Sequence, residues 1–241
     1  MCIRDSSYSA SDSSPSSALD KVELYAKAPG DAGYSKVATN STPSGSGSFA
    51  YTATAGDGTY SFYTLATDKA GNVEAAPATA DTQTVLDTAQ PASSATSAAL
   101  SNSTALTVTY SAAAGPSGVK EVELWVKRPG DAGFSLAATD TTPASPSFAY
   151  SATAGDGAYN FYTRASDNAG NYEAAPATSD TLTALDTVKP SSSATSPALS
   201  NSTSIAVNYS AGDSSPSSAL DKVELYAKAP GDAGYLSLIH I

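Results

Sequence analysis

Apolar residues recur at every second position in short runs along the chain, with polar residues between them. Leu106, Val108 and Tyr110 alternate with Thr107 and Thr109, the period of a strand that turns one face to a core. Val122, Leu124 and Val126 repeat the pattern against Glu121, Glu123 and Lys127. Further strands are predicted at Phe134 to Ala138, through Phe148, Tyr150 and Ala152, through Tyr159, Phe161, Thr163 and Ala165, and at Thr178 to Leu185. An edge strand at Ser93 to Ser97 makes seven in this stretch, and its counterpart further on is Ser192 to Ser196. Pro129 to Gly133, PGDAG, carries turn chemistry, because Pro presets φ and Gly tolerates a positive one. No helical period competes. About seven short strands in ~100 residues predict an all-β fold of immunoglobulin-like β-sandwiches.

The pattern is repeated along the chain. LDTAQP at Leu86 to Pro91 returns as LDTVKP at Leu185 to Pro190, a spacing of 99 residues. GDGTYSFYTLATDKAGNVEAAPATADT from Gly56 returns as GDGAYNFYTRASDNAGNYEAAPATSDT from Gly155, and Asp12 to Tyr34 recurs unchanged as Asp213 to Tyr235. Such a period is too long for a solenoid unit and matches one small domain. The expected organisation is tandem sandwiches, one complete and two truncated: a first repeat at 7–90 without its N-terminal strands, a complete one at 91–189, and a third at 190–235 cut on its C-terminal side. In the first repeat Arg4 and Ser6 stand where the complete one has Leu106 and Val108. The third is shorter than the roughly 60 residues that close a self-sufficient core, so poor order is expected there.

The two ends read differently. Residues 1–6, MCIRDS, are what ATG-TGT-ATA-AGA-GAC-AG encodes, and residues 236–241, LSLIHI, are encoded by its reverse complement. The pair matches a transposase adapter of sequencing-library preparation, and similarity between repeats stops at Ser7 and after Tyr235. Both segments are expected to be adapter-derived, in keeping with a metagenomic fragment, and scars of this kind are set aside in fold reasoning. Doing so removes Met1, Cys2 and His240, the single methionine, cysteine and histidine. No thiol, soft metal ligand or imidazole base then remains. The true N-terminus is expected to lie outside this sequence, so the want of a secretion signal carries no information.

Twelve basic against twenty-three acidic side chains give a net charge of -11, which repels phosphate backbones and anionic lipid. Nucleic acid is therefore excluded as an expected partner, and no apolar run approaches the ~18 residues of a membrane-spanning helix.

The motif Asp156-Gly157-x-Tyr159-x-Phe161, with Asp57-Gly58-x-Tyr60-x-Phe62 before it, resembles the tyrosine corner of antibody domains, with Phe where those place their second Cys. Together with VELYAKAPG or VELWVKRPG, GDGxYxFYTxAxDxAGNxE and LDTxxP, it covers nearly all of Ser7 to Tyr235. On these motifs the chain resembles bacterial immunoglobulin-like or fibronectin type III-like tandem repeats of secreted and cell-surface proteins. Members of that family serve as stalks, adhesive arms and spacers beside catalytic domains, so the resemblance speaks to architecture more than to role.

Chemistry is sparse. Nucleophilic catalysis needs a base beside an activated hydroxyl; with His240 set aside no imidazole is left, the few Lys residues sit in polar strand edges or turns, and the acidic pairs recur in every copy at turns, so no enzyme activity is expected. Asp68, Asn72 and Glu74, repeated as Asp167, Asn171 and Glu173, offer oxygen ligands of the kind calcium takes, helped by linker Asp87 or Asp186. The same residues spell a hairpin turn, and the turn is preferred because the D-x-D-x-D-G spacing of the best-known calcium loop is missing. Tyr25, Trp125 and Tyr226 on one strand, with Tyr63 and Tyr162 on the next, have the parity opposite to the core and form a candidate stacking platform for sugar rings. Cross-strand packing that shields the sheet is the preferred alternative. The Asn-Ser-Thr triplets at Asn40, Asn102 and Asn201 are assigned no role.

The expected function is that of structural spacer or stalk repeats in a large extracellular or cell-surface protein connected with adhesion, their partners being neighbouring repeats. The alternatives are a carbohydrate- or protein-binding module, or an accessory region of a secreted hydrolase.

Overall fold

In a computed structural model the described residues are 3–13, 17–143, 145–214 and 218–240, with side chains from Ser7 to Ser237. The chain is all-β and contains no helix among these residues.

The first repeat contributes β1 (Ile3–Ser9), β2 (Leu19–Lys27), β3 (Ser35–Asn40), β4 (Ser46–Thr52), β5 (Gly58–Asp68) and β6 (Thr82–Leu86). β1 pairs with β4, and a four-stranded sheet runs β3-β2-β5-β6. Tyr8, Val22, Leu24, Ala26, Phe49, Tyr60 and Phe62 are buried between the layers. Arg4 lies opposite Tyr51 and Ser6 opposite Phe49, the places that Leu106 and Val108 hold against Tyr150 and Phe148.

The second repeat runs β7 (Ala92–Ser97), β8 (Leu100–Ser101), β9 (Ala105–Ala113), β10 (Val119–Lys127), β11 (Ser135–Asp140), β12 (Ser147–Ser151), β13 (Gly157–Asp167) and β14 (Thr181–Leu185). One layer is β12-β9-β7, the other β11-β10-β13-β14-β8. Leu106, Val108 and Tyr110 from the first layer meet Val122, Leu124, Val126, Tyr159 and Phe161 from the second. The period-two pattern of each strand thus fills the interior of an immunoglobulin-like sandwich. All seven predicted strands are present. The eighth, β8, is two residues long and pairs parallel with β14, so the chain changes sheets between Ser97 and Leu100. Buried Thr183 secures that crossing by donating to the Ala98 carbonyl at 2.7 Å.

The corner motif closes as its residue types require. The Tyr159 hydroxyl donates to the Gly155 carbonyl at 2.9 Å and accepts from the Ala154 N–H at 3.1 Å. Tyr60 makes the same pair of bonds to Gly56 and Ala55. Gly157 has φ +135° there, and a Cβ on it would run into the Pro129 ring at 2.9 Å, so the position combines a glycine conformation with a close approach.

Among the described residues the third repeat forms two strand pairs and no further strand, β15 (Ser191–Thr195) with β16 (Asn208–Gly212) and β17 (Glu224–Ala227) with β18 (Leu236–His240). The strand predicted through Ile205, Val207 and Tyr209 is paired only from Asn208, and Ile205 is 56% exposed where its counterpart Leu106 is 5%. A sandwich strand is buried by the opposite layer, and among the described residues this repeat has none. β1 and β18 draw on the two end segments assigned to the adapter. A ladder uses backbone donors and acceptors common to every sequence, so this pairing does not depend on those side chains.

Candidate functional site

The Asp-x-Ala-Gly-Asn-x-Glu loop follows β13, and its side chains bind the backbone. The Asp167 carboxylate, fully buried, accepts from the N–H groups of Ala169 and Asn171 at 3.0 and 2.8 Å and from Asn171 Nδ2 at 2.8 Å. Burial would raise its pKa, but these hydrogen bonds outweigh burial and hold it below the usual carboxylate value. In the first repeat Asp68 accepts from the Asn72 N–H and side chain at 2.8 and 2.7 Å, and those bonds lower its pKa likewise. Gly170 and Gly71 take positive φ, as the turn demands.

The last residue of the loop reaches across the sandwich. Glu173 accepts from the Ala165 N–H on β13 at 2.9 Å, and on β7 from the Ser93 N–H and hydroxyl at 2.9 and 2.6 Å. Asp180 does the same one step along, taking the Ala95 N–H of β7 at 2.9 Å and the Thr163 N–H of β13 at 3.0 Å. Ser93 and Ala95 are alternate residues of β7, whose ladder to β9 engages the other edge. Two carboxylates thus stand in for a missing ladder between β7, an edge strand of one layer, and the stretch of β13 in the other layer that lies beyond its pairing with β14. In the first repeat Glu74 and Asp81 hold the equivalent Ala66 and Thr64 N–H groups at 3.0 and 2.9 Å.

The calcium candidates therefore divide into separate tasks. Asp68 and Asp167 close a loop with Asn72 and Asn171, while Glu74 and Glu173 serve a strand edge. Among the described residues no three His, Cys, Asp or Glu side chains come together as a metal-holding group. Linker Asp87 does approach the second loop, but through its carbonyl, which accepts from Asn171 Nδ2 at 3.0 Å.

The linker motif has its own network. Thr88 donates from its N–H and hydroxyl to Asp57 of the preceding corner, both at 3.0 Å. The Asp87 carboxylate turns the other way and accepts from the Ser117 N–H and hydroxyl of the following repeat at 3.0 and 2.6 Å. A Cβ at Gly115 would collide with that carboxylate. The next joint repeats the arrangement: Thr187 binds Asp156 through N–H and hydroxyl, both at 2.9 Å, and the Ser218 N–H donates to Asp186 at 2.8 Å. That bond from Ser218 is the main reason the Asp186 pKa lies below its ordinary value.

The aromatic candidates pair across the sheet. Tyr25 lies opposite Tyr63 and Trp125 opposite Tyr162, and the rings stack within 9° of parallel with centroids 5.0 and 5.9 Å apart. Tyr34 and Phe134 cover Tyr63 and Tyr162 from the side at 4.7 and 4.6 Å. Tyr162 keeps 7% exposure: the stack with Trp125 takes one of its faces, and Phe134 packs beside it. The Trp125 indole donates to Glu123 at 2.9 Å, and the Arg164 guanidinium lies 4.4 Å over Tyr172. Burial, then a hydrogen bond to Glu123, raises the Tyr172 pKa to about 12. Tyr226, in the third repeat, is 52% exposed, and its hydroxyl donates to Glu224 at 2.9 Å.

Sequence reasoning missed Asp81 and Asp180 as strand ligands and Asp57 and Asp156 as linker ligands. Their recurrence 99 residues apart was the available signal. Repetition marks a structural duty but does not name the partner.

No family model matches the chain, and no curated protein does. Among solved structures it is similar to the fibronectin(III)-like modules of Clostridium thermocellum CbhA, at 18% identity over 76% of this chain and 85% of that one, TM-score 0.36. It is also similar to the FN1-FN3 domains of chicken CNTN1, at 15% identity over 68% and 55% of the two chains, TM-score 0.37. A tetra-tandem repeat in the extending region of a large adhesion protein shares 16% identity over 87% and 56%, TM-score 0.33.

Proposed function

We propose that the chain is a run of structural spacer repeats from a large extracellular or cell-surface protein, holding other parts of that protein at a distance. The observation that carries this reading is the doubly anchored linker. LDTxxP spends its Thr on the repeat before it and its Asp on the repeat after it, at both joints. A spacer transmits position only if its joints resist bending, and a linker tied at each end by charge-assisted bonds resists it better than a free one. The net charge of -11 and the scarcity of cysteine suit solubility outside a cell without oxidative folding. In this reading the acidic groups of the loops serve backbone amides rather than a reaction, and no catalysis is assigned to the chain. No helix of the described residues is long and apolar enough to cross a membrane.

The test is the joint itself. Asp87→Ala in the full chain removes the bonds to Ser117, and small-angle scattering together with NMR relaxation should then report looser coupling of the first two repeats with their cores intact. Unchanged coupling would refute the spacer mechanism.

The aromatic stack favours a second reading, a carbohydrate-binding module, through Trp125. Glycan binding lost in Trp125→Ala would establish it, whereas the spacer reading expects none.

A further inference from the structure

The outer face of the sheet built on β10 and β13 differs from its counterpart on β2 and β5, although the two repeats are otherwise closely alike. In the first repeat Glu23, 7% exposed, is held by two ammonium groups, Lys21 Nζ at 3.2 Å on its own strand and Lys36 Nζ at 2.9 Å on β3. The second repeat keeps that carboxylate as Glu123 but exchanges both lysines: Glu121 stands in the place of Lys21 and Leu136 in the place of Lys36. Glu123 takes the Trp125 indole N–H at 2.9 Å and the Tyr172 hydroxyl instead, and Glu121 takes the Ser166 hydroxyl at 3.2 Å. Arg164 lies opposite Glu123 where the first repeat has Leu65, but it donates Nε and Nη2 to the Glu173 carbonyl at 3.1 and 2.9 Å and covers the Tyr172 ring. Among the described residues neither Glu121 nor Glu123 has an ion pair.

Glu121 and Glu123 are alternate residues of β10, so two half-buried carboxylates share one face, where like charges repel. Beside them the exchanges run towards apolar side chains. Trp125 replaces Tyr25, Leu136 opposite it is 50% exposed, and Leu182, 43% exposed on the same outer face, replaces Gln83. Trp125 gives one ring face to Tyr162 and has Leu136 on its other side across the sheet. What this face offers a partner is therefore leucine side chains, the indole edge and two carboxylates without a counter-cation. Apolar anchors beside charged groups suit a protein partner, whereas a sugar ring would need an aromatic face.

We infer that this face of the second repeat binds an extended, basic protein segment that presents two lysine or arginine side chains and an apolar one at alternate positions. The two cations do for Glu121 and Glu123 what Lys21 and Lys36 do for Glu23 within the first repeat, and the apolar side chain lies on Trp125 and Leu136. The spacing follows β10, in which Glu121, Glu123 and Trp125 are alternate residues. Charge-assisted bonds to carboxylates already half withdrawn from water supply the specificity, and burial of Leu136 and the indole edge supplies apolar area. The net charge of -11 steers a cationic partner towards the chain. The first repeat, whose own lysines occupy its carboxylate, is closed to such a segment, so one repeat carries the site and its neighbour does not. A spacer can carry this site, and the site does not require the chain to be one.

Trp125 is the single tryptophan of the chain, so the NMR signal of its indole N–H reports on this face alone. The probe is the peptide Lys-Ser-Lys-Ser-Leu, blocked at both ends and titrated into the full chain at physiological salt, where unspecific attraction is screened. The expected result is a saturable shift of the indole signal. Glu121→Lys together with Leu136→Lys rebuilds the pattern of the first repeat, where both lysines are accommodated, and should weaken binding by roughly tenfold or more. Glu121→Gln alone should act in the same direction and serves if the double variant does not fold. The peptides Lys-Ser-Lys-Ser-Ser and Glu-Ser-Glu-Ser-Leu should bind more weakly than the probe. Absence of a saturable shift would overturn the proposal, as would undiminished affinity in the variants or equal affinity for either control peptide. A soluble glucan oligosaccharide that moves the indole signal where the probe does not would overturn it in favour of the carbohydrate reading.

Discussion

Replacing Asp180 by Ala probes the carboxylate bridge where it spans two layers. Oδ2 of Asp180 accepts from the Ala95 N–H at 2.9 Å, the Thr163 N–H at 3.0 Å and the Thr163 hydroxyl at 3.4 Å. Ala95 and Thr163 are buried, so water does not readily replace the lost acceptor. Each buried N–H left unpaired costs about 1–3 kcal/mol, and the two together about 2–6 kcal/mol. That is a large share of the roughly 5–15 kcal/mol that holds a domain together. Asp81→Ala in the first repeat removes a bond to one N–H only, that of Thr64, and should cost about 1 kcal/mol. Site-resolved hydrogen exchange on the full chain separates these effects, because it reads each amide without assuming that the whole chain unfolds at once. The Ala95 and Thr163 amides should lose roughly 30-fold or more in protection in Asp180→Ala. Asp180→Asn keeps an oxygen that can face both donors and should fall between the variant and the wild type. Equal, small losses in Asp180→Ala and Asp81→Ala would refute the bridging role.

Three further outcomes are expected. Hydrogen bonds depress the pKa of Asp167 when folded, so its contribution to stability is present above the unfolded value near 3.8 and is lost as pH falls through the lower folded value. Acid titration of stability should therefore be shallower below about pH 4 in Asp167→Asn than in the wild type. Tyr159→Phe keeps the ring and removes the bonds to Gly155 and Ala154, and denaturant melts should show a loss of about 1–2 kcal/mol in the second repeat. Excess chelator should leave the melting temperature unchanged, because Asp167 and Glu173 are engaged by backbone amides; a drop of several degrees would restore the calcium reading.

The alternation of Leu106, Val108 and Tyr110, and of Val122, Leu124 and Val126, was enough to specify the strands and which side of each faces inward, since a strand has only two faces. The corner was legible for the same kind of reason: Asp-Gly-x-Tyr-x-Phe spans six residues, and both partners of the tyrosine hydroxyl are within five residues of it. Contacts between distant segments were not legible. Nothing local distinguishes Glu173 and Asp180 as turn residues from Glu173 and Asp180 as ligands of a strand about 80 residues earlier. The two-residue β8 is too short to show a period, and only its pairing with β14 reveals where the chain changes layers. The outward parity of Trp125 and Tyr162 was readable, but tertiary packing decided that the rings spend their faces on each other. Period and turn chemistry are properties of neighbours in sequence, whereas the partner of a carboxylate is whichever amide folding brings within about 3 Å of it.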